Sequence, residues 1–445
     1  MSMKVHILSK QINENEYVAF DPMSKTVLIL NRQEKNIIEK FQRSIPLSIS
    51  EKYILKDILD FLNEKRENAP KQQFPLDGSP NMMVLMVSQL CNMKCKYCYA
   101  HSGTYNTPGV MKESIGKRAL DIANDLGVTN IQFYGGEPLI NFELISKLVK
   151  YAEKQGYNFK YGIITNGTLI GKEIGYFLKQ HDFEVTISID GPREINDLNR
   201  VYSTGKGTHD DIIKAVNLLN DLEVPLALEI TYARNYIGKY TISEILDYLS
   251  NYSKTFIVGY VLPTVDGHRQ VYEPTEQEVE NMMTELVNYL FTKWENGIQI
   301  REMGICMVLR ELLDPVYHVK KCICPEFPTR ITVFHDGSVY PCHQVYLDKR
   351  FYLGHIMDRE FKDTLQRQFK NAVDNFAMSN LHTNNNEQWI FSVCSFCKAH
   401  LMEVSGTYYL RYPNAYQKVL EHIMYNMVTR NMRSVIHTLG GTIIE

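Results

Sequence analysis

From Met82 to about Gly297, short apolar, β-rich runs alternate with longer stretches whose apolar residues recur every three or four positions. The runs are Met83–Val87, Asn130–Phe133, Phe159–Ile164, Glu184–Ile189, Leu226–Thr231 and Phe256–Leu262. Between them, Glu113–Asp125, Asn141–Gln155, Lys172–Gln180, Asp210–Leu222 and Thr241–Ser250 carry helical spacing. Six strand–helix units in series predict an α/β fold with one parallel sheet and right-handed crossovers. Periodicity alone fits both a flat doubly wound sheet and a partial (β/α)6 TIM-like barrel.

Two further segments flank this one. Tyr17–Asp21 and Thr26–Asn31, joined by Pro22-Met23-Ser24-Lys25, predict a hairpin. Helical patterns at Gln33–Gln42 and Glu51–Asn63 complete a small α+β unit over residues 1–67. Residues 68–81, with Pro70, Gly78 and Pro80, read as a linker to a barrel spanning 82–300. Residues 301–412 hold six of the nine cysteines, and a helical pattern at Ala415–His437 closes the chain within 413–445.

Composition narrows the setting. The chain of 445 residues is 44% apolar and 22% charged with a formal charge of −3, which gives no reason to expect nucleic acid as a partner. Lys4, Lys10, Glu14 and Glu16 interrupt the first twenty residues, so no secretion signal is read there. No eighteen apolar residues run together, so no membrane partner is expected, and the protein is expected in the cytoplasm. Cysteines in that setting point to metal binding or catalysis rather than disulfides.

Directly after the first barrel run stands Cys91-Asn92-Met93-Lys94-Cys95-Lys96-Tyr97-Cys98, a Cys-x3-Cys-x2-Cys array. Thiolates this close wrap one face of a small cluster, and iron–sulfur cubanes are held by cysteines at such spacings. Three ligands for four irons leave one iron open, which is a catalytic arrangement. A zinc knuckle is the other reading; a closed zinc site wants a fourth ligand, and His101 would be it.

The array, with an aromatic before its last cysteine and a strand ahead of it, resembles the signature of the radical SAM superfamily. That resemblance implies a [4Fe-4S] cluster whose open iron chelates the amino and carboxylate groups of S-adenosylmethionine. The reduced cluster would cleave the sulfonium to a 5′-deoxyadenosyl radical, which needs the low end of iron–sulfur potentials, about −700 mV. Tyr134-Gly135-Gly136-Glu137-Pro138 resembles the family's Gly-Gly-Glu motif, which holds the cofactor's amino group. Glycines allow close backbone approach, and a carboxylate accepts from an ammonium. By the same resemblance Asn166, Ser188, Asp190 and Arg200 belong to the cofactor site, with Ser188 and Asp190 near the ribose and Arg200 near the carboxylate. Singly, each is an ordinary loop residue. Together they stand at the ends of successive strands, where barrel enzymes place their chemistry, and this favours the barrel.

Cys324, Gly337 and Cys342 form a Cys-x12-Gly-x4-Cys spacing, with Cys394-Ser395-Phe396-Cys397 downstream and a hairpin pattern at Val333–Tyr340. This segment resembles the SPASM or shorter Twitch auxiliary-cluster domains. It departs from full SPASM because no cysteine follows Cys397. The resemblance implies one auxiliary [4Fe-4S] cluster on Cys324, Cys342, Cys394 and Cys397. Cys322 competes with Cys324, and zinc on Cys322, Cys324, Cys394 and Cys397 is the rival reading. Cys306 reads as a core thiol.

The N-terminal hairpin and helices resemble the peptide-recognition domains fused to enzymes that mature ribosomally made peptides. Such domains add a leader peptide as a strand to a sheet edge; a purely structural lid is the alternative. The combination resembles radical SAM peptide maturases, implying a precursor peptide as substrate, a thioether or carbon–carbon cross-link as product, and flavodoxin or ferredoxin as electron donor. A sulfatase-maturase-like oxidation of a protein side chain and a non-catalytic leader-peptide adaptor are the competing readings. No catalytic residue is singled out.

Overall fold

The computed structural model describes residues 5–68, 71–73, 80–262, 270–314, 317–319, 322–324, 327–383, 389–394, 397–432 and 435. The expected linker therefore lies largely outside the described residues, as do the last residues of the chain.

Three antiparallel strands open the chain: β1 (His6–Gln11), β2 (Glu16–Asp21) and β3 (Thr26–Asn31), in that order across the sheet. The expected hairpin is β2–β3, with Val18 opposite Ile29. β1 is additional; with only Ile7 and Leu8 apolar, it shows no usable alternation in sequence. An Asn31–Glu34 capping box starts α1 (Arg32–Gln42). α2 (Ile49–Asn68) outruns its apolar pattern, and near its end Arg66 meets the buried carboxylate of Asp21 at 2.6 Å. One face of this sheet packs Ala19 and Leu30 against Ile37, Ile38, Leu55 and Leu62 of the helices. The other sends Val18 and Phe20 into the main core, where His6 stacks on Trp389 at 4.3 Å. β4 (Lys71–Gln73) is a short strand within the expected linker.

The central unit follows the expected alternation closely. It runs β5 (Met82–Ser88), α3 (Glu113–Asp125), β6 (Asn130–Gly135), α4 (Phe142–Gln155), β7 (Lys160–Thr165), α5 (Lys172–Gln180), β8 (Glu184–Ser188), α6 (Arg193–Asn199), α7 (His209–Asp221), β9 (Leu226–Tyr232), α8 (Ile242–Leu249) and β10 (Thr255–Tyr260). From β5 to β10 every strand pairs in parallel with its predecessor. A doubly wound sheet reverses its strand order at a switch point. This one never does, so the architecture is the partial TIM-like barrel. Along β6 the buried residues Ile131 and Phe133 alternate with Gln132 and Tyr134. Phe133, Tyr161 and Phe183 stack at centroid distances of 5.3–6.2 Å beneath the helices.

α9 (Glu276–Glu295) is capped by a Thr275–Glu278 box and buries residues around much of its circumference, which hides its period from sequence reading. β11 (Arg301–Glu302), α10 (Met303–Leu313) and β12 (Tyr317–Val319) follow, β12 pairing with β4. The expected division near residue 300 is not a break in the sheet. β13 (Arg330–Val333) runs parallel to β5, and β14 (Ser338–Tyr340) and β15 (Gly354–His355) extend that edge to give ten strands. The β13–β14 turn is the expected hairpin; Gly337 there has φ +92°, and an added Cβ would lie 2.6 Å from the His355 ring. α11 (Phe361–Asn375), β16 (Leu381–His382), α12 (Ile390–Val393), β17 (Leu401–Val404) and β18 (Thr407–Leu410) lead to α13 (Pro413–Thr429), which packs on α9 and β1. The described helix ends at Thr429, short of His437. Among the described residues, no helix is long and apolar enough to cross a membrane.

Candidate active site

All six barrel strands end on one side, around a cavity of about 460 Å³. The loop after β5 brings Cys91, Cys95 and Cys98 to its wall. Backbone bonds from Lys94 N to Val201 O and Lys96 N to Asn199 O pin this loop to the segment after α6. Gly136 and Gly103 allow it to sit low. A Cβ on Gly136 would lie 2.6 Å from Gly103 O, and one on Gly103 would lie 2.7 Å from the Cys91 Cβ.

Burial pushes the thiols of Cys91 and Cys95 up to about 12 each, and the neighbouring cysteines push the same way. Opposing this, Cys91 Sγ accepts from Met93 N at 3.4 Å, and Arg200 draws Cys95 down. Buried thiols held protonated by their own crowding suit a multiply charged metal group, since a coordinated thiol is deprotonated outright. The three cysteines, the glycine cradle and a buried arginine thus fit an iron–sulfur cluster carrying an anionic ligand. His101 is exposed.

The expected cofactor residues divide into two groups. Gly135, Gly136, Asn166, Ser188 and Arg200 line the cavity. Glu137 and Asp190 are not among the residues that line it. Glu137 is fully buried and accepts from Leu139 N at 3.0 Å, Thr165 Oγ1 at 2.7 Å and Asn166 N at 2.8 Å. Burial raises its pKa to about 7 against those three donors. Its role is to tie the end of β6 to the end of β7. Asp190, also fully buried, accepts from Tyr97 Oη at 2.5 Å, Arg200 Nε at 2.9 Å and Thr231 N at 3.1 Å.

Some wall residues carry no sequence signature. Glu229 projects from β9 and accepts from Ser188 Oγ at 3.0 Å. Its place in the alternation Leu228-Glu229-Ile230 was the available signal. Tyr99 links Tyr105 and Tyr134 through hydroxyl contacts of 2.9 Å each, and the His343 ring packs 5.2 Å from Tyr134. Burial holds these phenols protonated and lowers His343 to about 4. Opposite, Tyr260 Oη lies 2.5 Å from Tyr416 Oη. Gln344 and Ala399 bring the cysteine-rich segment to the cavity itself.

Cys342 and Cys98 both act on Tyr105, and Cys394 and Cys397 both act on Tyr416. Cys324 is half-buried. Cys322 is buried, its thiol donating to Phe376 O at 3.4 Å and raised by burial to about 12. That orientation speaks for Cys324 over Cys322 as a ligand. Among the described residues, no three His, Cys, Asp or Glu side chains are arranged to hold a single metal ion.

The sequence profile of the radical SAM superfamily matches residues 85–251, which run from β5 past α8. An uncharacterized protein of Methanocaldococcus jannaschii, MJ0907, is 33% identical over 217 residues, covering 48% of this chain and 73% of that protein. The chain belongs to the radical SAM superfamily. It is an enzyme, and its cofactors are S-adenosylmethionine and a [4Fe-4S] cluster. The cysteine-type anaerobic sulfatase-maturating enzyme of Clostridium perfringens is 29% identical over 306 residues, covering 64% of this radical SAM chain and 80% of the relative. The structure of native anSMEcpe with bound AdoMet and Cp18Cys peptide shares the fold at TM-score 0.65 and 23% identity, over 81% of this chain and 100% of that one. SuiB of Streptococcus suis, bound to precursor peptide SuiA, shares it at TM-score 0.50 and 15% identity, over 82% and 88%.

Proposed function

We propose that this radical SAM enzyme modifies a side chain of a ribosomally made precursor peptide, forming a thioether or carbon–carbon cross-link. The observation that carries the reading is the cavity's double wall. The three-cysteine loop closes one side, and Gln344 and Ala399 of the second cysteine-rich segment close another. A reacting peptide side chain there would lie between the two cysteine groups.

Cys91, Cys95 and Cys98 would seat the catalytic cluster. Gly135 and Gly136 offer backbone to the cofactor's amino group, Arg200 its guanidinium to the carboxylate, and Ser188 with Glu229 hydrogen bonds to hydroxyl groups. When bound, cluster and cofactor supply a 5′-deoxyadenosyl radical that takes hydrogen from the substrate. The buried tyrosines around the cavity exclude water. Cys324, Cys342, Cys394 and Cys397 would hold one auxiliary cluster, an acceptor for the electron released as product forms.

β3 supports a peptide partner: it is one of the two outer strands of its sheet, and its Ile29 is exposed, so a leader segment can add there as a further strand. Flavodoxin or ferredoxin would be the electron donor. The test is oxygen-free incubation of reconstituted enzyme with reductant, S-adenosylmethionine and the peptide encoded beside it. 5′-Deoxyadenosine and a peptide lighter by two hydrogens per link support the reading; unchanged peptide mass refutes it. Likeness to the sulfatase-maturating enzyme supports a second reading, oxidation of one side chain. Tandem mass spectrometry separates the two, because a cross-link suppresses backbone fragments between the joined residues and a single oxidised side chain does not.

A further inference from the structure

The buried cation of the site is held by groups that themselves stay behind its wall. Arg200 donates Nε to Asp190 Oδ1 at 2.9 Å and Nη2 to Thr231 Oγ1 at 3.3 Å. Its guanidinium carbon lies 5.6 Å from the Tyr97 ring centroid, and the Tyr97 hydroxyl donates to Asp190 Oδ2 at 2.5 Å. Asp190 Oδ1 also accepts from Thr231 N at 3.1 Å, so the carboxylate is anchored to β9. Asp190 itself is absent from the cavity wall, whereas Arg200, Tyr97 and Cys95 all reach it. Tyr97, whose hydroxyl reaches Asp190, stands between Cys95 and Cys98 in the chain, which sets the ion pair beside the three-cysteine loop.

We infer that Asp190 is a positioning residue: it aims Arg200 into the cavity toward the cofactor's carboxylate and, as the anion of a buried pair beside Cys95, holds the cluster's potential low. A guanidinium donates in a fixed plane, so fixing its Nε fixes which nitrogens remain for a ligand. A buried carboxylate near a cluster disfavours the electron added on reduction, because cluster potential follows local charge. Asp190 thus sets both the direction of the cation and the charge that surrounds the thiolate. This rests on the reading of Arg200 given above.

Two variants of the full chain separate the two effects, each reconstituted without oxygen and assayed for iron. Asp190→Ala removes the restraint, and the Kd for S-adenosylmethionine, measured by equilibrium dialysis, should rise about tenfold or more, the scale of a lost charge-assisted hydrogen bond. Asp190→Asn keeps the shape and an acceptor for Arg200 but removes the charge. Its midpoint potential, followed by electron paramagnetic resonance, should move upward, while affinity changes less than in the alanine variant. A structural tie alone would leave the potential of the asparagine variant in place. An unmoved potential there, or wild-type affinity in a folded Asp190→Ala protein, overturns the inference. If the alanine variant does not fold, the potential of Asp190→Asn decides. Arg200→Leu is measured alongside: wild-type affinity in that protein overturns the parent reading of Arg200, whereas weakened binding there with unaffected Asp190 variants overturns only the role of Asp190.

Discussion

Glu421→Gln tests how the N-terminal sheet is fastened to the rest of the enzyme. The side chain, 3% exposed on α13, pairs with His6 Nε2 at 2.8 Å and accepts from Ser9 N at 3.0 Å, the Ser9 hydroxyl and Gln417 Nε2 at 2.9 Å. Burial pushes its pKa up, but hydrogen bonds from His6, Ser9 and Gln417 outweigh that and lower it from 4.5 to about 2. At 1.36 kcal/mol per pKa unit, the ionised form stabilises the docked state by about 3 kcal/mol. Because the folded pKa is depressed, this stability is present above about pH 4.5 and is lost as pH falls toward 2. Glutamine keeps one acceptor oxygen, so the expected loss at neutral pH is about 2 kcal/mol. The readout is hydrogen exchange. Amides of β1 and β2 should exchange about 30-fold faster in the variant, while those of β6 and β7 keep their rates. Unchanged exchange in β1 would refute the reasoning, as would equal acceleration in both regions, which would indicate global destabilisation. The variant should also lose the extra stability gain that the wild type shows between pH 2 and 4.5.

Three other outcomes are expected. Phe183→Ala empties the stack with Phe133 and Tyr161 and should cost about 3–5 kcal/mol, measured by denaturant unfolding of the apoprotein. Gly136→Ala forces a Cβ to within 2.5 Å of Leu90 O, so the purified chain should keep its circular dichroism but lose the share of reconstituted iron that Cys91, Cys95 and Cys98 hold; full iron would show that the loop can shift. In a Cys91/Cys95/Cys98 triple alanine background, iron and sulfide should remain, drop on adding Cys324→Ala and persist on adding Cys322→Ala. Zinc alone in the triple variant would exclude the auxiliary cluster.

Much of the barrel is legible because each strand and helix carries its own period, and because cysteines and glycines at strand ends are chemically distinctive. The misses have physical causes. β1 owes its existence to pairing with β2 across a short turn, and its own six residues hold too few apolar positions to signal a strand. α6 is polar and short, and α9 buries residues around much of its circumference, so neither shows one apolar face. Glu137 and Asp190 are readable as important but not as turned inward, because side-chain direction at a strand end depends on which donors the next loop supplies. The Tyr99–Tyr105–Tyr134 hydroxyl network joins two separate loop and strand segments, and spacing along the chain gives no hint of it.

The parallel bonding of β13 to β5 has a practical consequence. Cys91 lies just past the end of β5 and Cys342 just past the end of β14, so a common hydrogen-bonded framework sets the span between these two cysteines. Shortening or swapping the surrounding connectors should therefore leave that span alone. Trimming the chain at residue 300 would strip β5 of one of its two neighbours and bare a row of amides beside Met83 and Leu85, an adhesive border that invites self-association.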